Sequence, residues 1–332
     1  MNPFSTALSY TLKSLHQPLE IAGRYRQLTA SSNAQTPKVK VLRNCAYGDH
    51  SLQKADVFLP PAAKTNGQQQ FPVAVVIHGG FWVAGDKSTY TEICKRLCHT
   101  GVIVVNVNYR LAPNATYTEQ VQDINHAILW IHQTLHSLKG NPQQLYLFGD
   151  NAGANLALTY SLALQHPYLR NALGMQRHPK ASAIKGLVLL HGLFDLNAGL
   201  FNLLPMRGLW QQAFLGHARK NRAQQVELAS PLRHLHPQLP PIFIGGTEAD
   251  PLFSQSVALA NALKEQNHTY ATGFYDKIDH PHEHHWMFSL QIKGGAKKML
   301  SEVLNFLSWR IDFDKHLSET ITQTALETEP SF

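Results

Sequence analysis

Residues 145–158, Leu145-Tyr146-Leu147-Phe148-Gly149-Asp150-Asn151-Ala152-Gly153-Ala154-Asn155-Leu156-Ala157-Leu158, change character in the middle. Leu145–Phe148 is short and wholly apolar, as a strand covered on both faces should be. Residues from Gly153 to 165 fit a helix. Between them, Gly149 and Gly153 frame a Gly-x-Asn-x-Gly turn. Flanking glycines permit a turn too sharp for residues with a Cβ, so the pattern is strand, tight turn, helix, with Asn151 at the tip.

Working outward, Val73–Ile77, Val102–Val107, Leu187–Leu190 and Ile242–Ile244 are further continuous apolar runs, and Tyr270–Tyr275 reads as a last strand. Val121, Ile124, Ile128, Ile131, Leu135 and Leu138 recur at helical spacing, with Gly140-Asn141-Pro142 as a stop. Helices also fit 254–266 and 295–309. Alternating strands and helices predict an α/β fold: a mostly parallel, doubly wound central sheet with helices on both faces and ligands at the carboxyl ends of its strands. Residues 1–36 stand apart as an N-terminal helical extension, residues 37–310 as the main domain, and 311–332 as an acidic, flexible tail. Residues 197–229 interrupt the alternation with Leu200, Phe201, Leu203, Leu204, Leu209, Trp210, Phe214 and Leu215. That insertion reads equally as a lid over a pocket or as a packed helix pair.

Composition narrows the function. The 332 residues are 44% apolar and only 15% charged, which argues for a large core and against disorder. The net charge of +7 is uneven, since the tail holds five acidic side chains and one basic one, leaving 28 basic against 17 acidic in residues 1–310. The basic residues are scattered singly, without the patch or signature of a nucleic-acid binder. No stretch has the apolar length of a membrane span, and the first 20 residues lack the apolar core of a secretory signal. Three cysteines, an odd number, suit a reducing, cytoplasmic setting.

Four further segments carry chemistry. His78-Gly79-Gly80-Phe81-Trp82 follows a strand, where two glycines let backbone N–H groups turn toward a ligand; aimed at a developing oxyanion, one such donor is worth about 3–4 kcal/mol of barrier. The turn at 149–153 matches the nucleophile elbow, whose central residue is ordinarily serine. Asn151 has no ionisable O–H, so acyl transfer through a side-chain oxygen is closed there. Deamidation of Asn151 would supply a carboxylate, but the following residue is Ala152, not the glycine that makes deamidation easy. Gly245–Leu252 places Asp250 just past a strand, where a carboxylate orients a histidine or caps a helix; Glu248 is the lesser candidate. Asp279-His280-Pro281-His282-Glu283-His284-His285-Trp286 supplies several imidazoles, without the spacing of a zinc helix. A general base is the better reading of that run, and no metal or cofactor is called for.

These residues together resemble the α/β-hydrolases, whose order is elbow, acid, histidine. The likeness is to carboxylesterases of the hormone-sensitive-lipase-like and BD-FAE-like kind, with a kynurenine-formamidase-like HGG-x-W. It rests on 47–60 (YGDHSLQKADVFLP), 78–88 (HGGFWVAGDKS), 108–113 (NYRLAP), 149–158, 230–232 (SPL) and 246–252 (GTEADPL). The resemblance implies an oxyanion hole from Gly79, Gly80 and Ala152, and Asp250 as the acid. It implies His284 as the base, followed at two positions by Trp286, with His285 as second choice and His282 also in play. Phe81 and Trp82 are implied as substrate contacts. Phe81 departs from the third glycine of many relatives. Asn106, Asn108, Tyr109 and Arg110 are expected to buttress the fold.

The implied partner is a small ester or acyl compound. Two readings of Asn151 follow. In one, a carboxylesterase scaffold has lost or impaired turnover because Asn151 stands in the nucleophile's place. In the other, the chain is a non-catalytic small-molecule-binding protein, resembling the plant gibberellin receptors that use this fold as a ligand sensor.

Overall fold

Successive residues of a strand face opposite sides, so a run that is apolar throughout must be covered twice. A computed structural model describes residues 39–61, 70–197, 215, 222–236, 238–279 and 294–327 and shows this cover. Val73, Val75, Ile77, Leu145, Leu147, Leu187 and Leu189 enter one core cluster, while Ala74, Val76, Tyr146, Phe148, Val188 and Leu190 enter the other.

The strands are β1 (Lys40–Ala46), β2 (Lys54–Leu59), β3 (Phe71–Ile77), β4 (Ile103–Val107), β5 (Gly140–Asp150), β6 (Ile184–Leu190), β7 (Ile242–Thr247) and β8 (Tyr270–Tyr275). Among the described residues they form one sheet in the order β1-β2-β4-β3-β5-β6-β7-β8. Pairing is antiparallel at β1–β2 and β2–β4 and parallel from β4 to β8. The helices are α1 (Thr91–Cys98), α2 (Tyr117–Thr134), α3 (Ala152–Gln165), α4 (Pro167–Ala172), α5 (Arg222–Leu228), α6 (Phe253–Glu265) and α7 (Gly294–Glu327). Buried residues of α2, α3 and α6 pack into the first cluster, and those of α1 and α7 into the second. The fold is therefore the mostly parallel, two-sided α/β sheet that the alternation implies.

Several boundaries moved. Gly140-Asn141-Pro142 lies within β5, because Gly140 pairs with Phe71 before an irregularity in the ladder, and α2 ends earlier, at Thr134, in a tight turn over Leu135–Leu138. Helix α7 continues far past 309, since no glycine or proline occurs from 296 to 329. The acidic segment 311–332, expected as a flexible tail, thus begins inside a helix. The extension 1–36 lies outside the described residues, as does most of the insertion 197–229 apart from its start, Leu215 and α5.

Polar side chains lock the loops that precede the site. Lys87 and Asp56 form a buried ion pair at 2.7 Å, joined by Arg43 at 3.1 Å. Asn106 Nδ2 donates to the Lys87 carbonyl, and Asn108 bonds both Lys87 N and Asp86. Arg110 grips the buried Asp123 through Nε and Nη2. The buttressing expected of the 106–110 segment is thus seen in its bonds.

Candidate active site

Asn151 sits between β5 and α3 at φ 52°, ψ −115°. A side chain in so sparsely populated a conformation costs on the order of 1–3 kcal/mol and persists only where neighbours enforce it. Asn151 N donates to the Leu190 carbonyl at 2.8 Å, and its own carbonyl accepts from Ala154 and Asn155. Gly153 is forced by packing, because a Cβ there would lie 2.1 Å from the Ile77 carbonyl oxygen. The first turn of α3 can therefore press on the end of β3, which aims Asn151 at the loop after that strand.

That loop answers with backbone donors. Asn151 Oδ1 accepts from Phe81 N at 3.0 Å and, at longer range, from Gly80 N at 3.4 Å. The Gly80 conformation (φ 123°) excludes any side chain, since a Cβ would meet the Ala84 carbonyl at 2.2 Å. Two donors converging on one atom fix the carboxamide's orientation, because a flipped amide would set NH2 against two N–H groups. Asn151 Nδ2 is buried and has no hydrogen-bond partner among the described residues. Gly79, expected to donate beside Gly80, instead gives its N–H to the Tyr90 hydroxyl at 3.2 Å, and Phe81 takes the place beside Asn151.

Tyr90 joins the two halves of the site. Its hydroxyl donates to Asp150 Oδ2 at 2.6 Å while accepting from Gly79, so one oxygen ties the glycine loop to the residue before Asn151. Burial, then the neighbouring Asp150, pushes the Tyr90 hydroxyl well above its ordinary range, which keeps it a proton donor. The other Asp150 oxygen lies 3.2 Å from His191 Nδ1, and both residues are buried. His78 stacks on Tyr109 with ring centroids 4.3 Å apart, and burial pulls its imidazole below the ordinary value. Sequence reasoning missed Tyr90, His191 and the Phe81 N–H. The Tyr90–Asp150 bond spans 60 residues, a separation no local pattern encodes.

The remaining expected residues divide. Asp250 is buried past β7, and its Oδ1 accepts from Leu252 N at 2.8 Å, which shapes the entry to α6. Glu248 is exposed. Phe81 is half-buried at the loop's tip. Trp82 is fully buried and packs edge-on against Tyr117, a core position rather than an open wall. His282, His284 and His285 lie outside the described residues.

A sharp elbow at the carboxyl end of β5, facing N–H donors after β3 across this strand order, is the arrangement of the α/β-hydrolase fold. The sequence profile of the BD-FAE family matches residues 55–263, and the chain belongs to that family. It is 26% identical, over 81% of its length, to a probable isoprenylcysteine alpha-carbonyl methylesterase of Oryza sativa subsp. japonica, spanning 64% of that protein. It is 25% identical, over 78% of its length, to esterase LipQ of Mycobacterium tuberculosis, spanning 60% of that protein. Both relatives are thus spanned by less than two thirds. A versiconal hemiacetal acetate esterase of Dothistroma septosporum is matched at 25% identity over 88% of each chain. Among solved structures, esterase B of Lactobacillus rhamnosis superposes with a TM-score of 0.80 at 19% identity, covering 94% of this chain and 99% of that one. That last likeness concerns the fold. No helix among the described residues is long and apolar enough to cross a membrane.

Proposed function

We propose that this chain is a carboxylesterase-type scaffold that receives a small ester or acyl compound beside Asn151, with turnover lost or strongly impaired by that residue. The observation that carries the reading is the contact of Asn151 Oδ1 with the Phe81 and Gly80 N–H groups. In an acyl-transfer site those donors serve the substrate's carbonyl oxygen as it becomes an oxyanion. A serine at 151 would bring its oxygen to a carbonyl carbon held against the same donors. Asp250 would orient His284 or His285, which would take the serine's proton and return it to the leaving alcohol. Asparagine supplies no such proton and no alkoxide.

The test is Asn151→Ser with short-chain p-nitrophenyl esters. Losing a triad nucleophile leaves only about 10³–10⁴-fold over water from the donors and binding, so the serine variant should exceed the parent by orders of magnitude. A serine variant that still binds small ester analogues yet hydrolyses neither esters nor formylated amines would defeat the proposal.

The same contact supports a second reading, a non-catalytic binding protein, because the Asn151 carboxamide already satisfies the donors that turnover would need free. Ligand-dependent thermal stabilisation without turnover in Asn151→Ser selects that reading. Three free cysteines, two of them buried, accord with a reducing, cytoplasmic setting.

A further inference from the structure

An amide oxygen held by two backbone N–H groups is polarised as a substrate carbonyl would be. We infer that Asn151 is itself a substrate of this site: its side-chain amide is hydrolysed by water, with Gly80 and Phe81 stabilising the charge on Oδ1, to leave aspartate at position 151. The inference rests on reading these donors as an oxyanion hole.

The step balances simply. A water oxygen bonds to Cγ and the electron pair of the C=O bond moves onto Oδ1, which lies 3.0 Å from Phe81 N and 3.4 Å from Gly80 N. Nδ2 takes a proton from the attacking water, the C–Nδ2 bond breaks as the carbonyl re-forms, and ammonia leaves. The ammonia then takes the remaining acid proton, so amide and water become carboxylate and ammonium with no oxidant or further reactant. The product keeps the Phe81 and Gly80 N–H donors on Oδ1, and position 151 immediately precedes α3, whose dipole favours an anion.

This route differs from ordinary deamidation, in which the next backbone nitrogen attacks Cγ and the ring that forms opens largely to isoaspartate. Asn114 provides the comparison inside the same molecule, being exposed and also followed by alanine, Ala115.

The experiment is incubation of the folded chain at neutral pH, with timed peptide mass spectrometry of the segments holding Asn151 and Asn114 and separation of aspartate from isoaspartate. A parallel sample is held unfolded in urea. One oxyanion donor is worth about 10²–10³ in rate for the same attack, so direct hydrolysis, read as aspartate formed without isoaspartate, should run about a hundredfold faster at Asn151 than at Asn114 in the folded chain. The product should be aspartate alone, ammonium should appear in equal amount, and urea should abolish the difference. Conversion no faster than at Asn114, or isoaspartate at 151, overturns the inference. Ester hydrolysis by Asn151→Ser, measured alongside, separates the two possible failures. Active serine protein with a persistent Asn151 amide refutes only self-hydrolysis, whereas inactivity of both removes the oxyanion-hole reading beneath it.

Discussion

Replacing Tyr90 by phenylalanine tests whether one hydroxyl holds the site together. The change removes a single oxygen from a buried position and keeps the ring that packs with Ile93 and Cys94 in the second core cluster. It deletes the 2.6 Å bond to the Asp150 carboxylate and the 3.2 Å bond from Gly79 N. A hydrogen bond to a charged group contributes about 1.5–3 kcal/mol and a neutral one about 0.5–1.5, so Tyr90→Phe should destabilise by about 2–4 kcal/mol. Against a typical total of about 5–15 kcal/mol, that is a large share for one atom. Urea unfolding followed by tryptophan fluorescence reads it as a lower midpoint with an unchanged slope. A double-mutant cycle with Asp150→Asn should show the two losses to be non-additive. A loss below about 0.5 kcal/mol, the range of surface substitutions, would show that Tyr90 does not tie the glycine loop to the elbow.

The ion pair and the buried imidazole give two more expectations. Lys87→Met strands the buried Asp56 with the half-exposed Arg43 as its remaining cation, and thermal unfolding should report a loss of about 3–5 kcal/mol that Lys87→Met with Asp56→Leu largely recovers; a loss under about 1 kcal/mol contradicts the assignment. Stability should also fall in two acid steps. Burial holds His78 neutral in the folded chain below its ordinary 6.5, so the unfolded chain binds the extra proton and stability declines as pH drops beneath about 6.5. Asp86 is half-buried, which opposes ionisation, but hydrogen bonds from Ser88 and Asn108 more than offset this and bring it from 3.8 down to about 2. Its stabilisation is complete above 3.8 and drains between there and 2. Unfolding free energies that rise from pH 6.5 to 5 would reverse the sign of the first step.

The strands legible in the sequence were those buried on both faces, where every residue is apolar and the run declares itself. Strand β1 escaped strand assignment because it is the antiparallel edge of the sheet, and β2 because Lys54 and Asp56 break its short apolar run. Lys40, Arg43 and Asn44 are exposed in β1, and its ladder shifts between Leu42 and Cys45. Helix α1 was too short for its period to stand out, although Cys94 and Cys98 lie one turn apart. At the site, the elbow was readable because its glycines answer a local steric demand. Which N–H faces Asn151 was not, since it depends on how the 79–82 loop turns, with Phe81 and Trp82 both at positive φ. Tyr90 and His191 meet Asp150 only after the sheet is assembled.

Asn155, one turn into α3, has a wider consequence. Its Nδ2 donates to the carbonyls of Leu193 and Ala229, while Leu232 N reaches the Phe194 carbonyl and Leu196 N reaches Ser230 Oγ. The chain that leaves the core near 196 and returns near 229 is therefore knotted shut at its base by the helix that carries the elbow. Closure of a loop already fastened in this way grows by only about 0.6 kcal/mol for each doubling of length. Changes of length between those knots are therefore cheap in closure entropy, whereas Leu215, Val226 and Leu228 enter the first core cluster, so a replacement segment must still supply apolar side chains there.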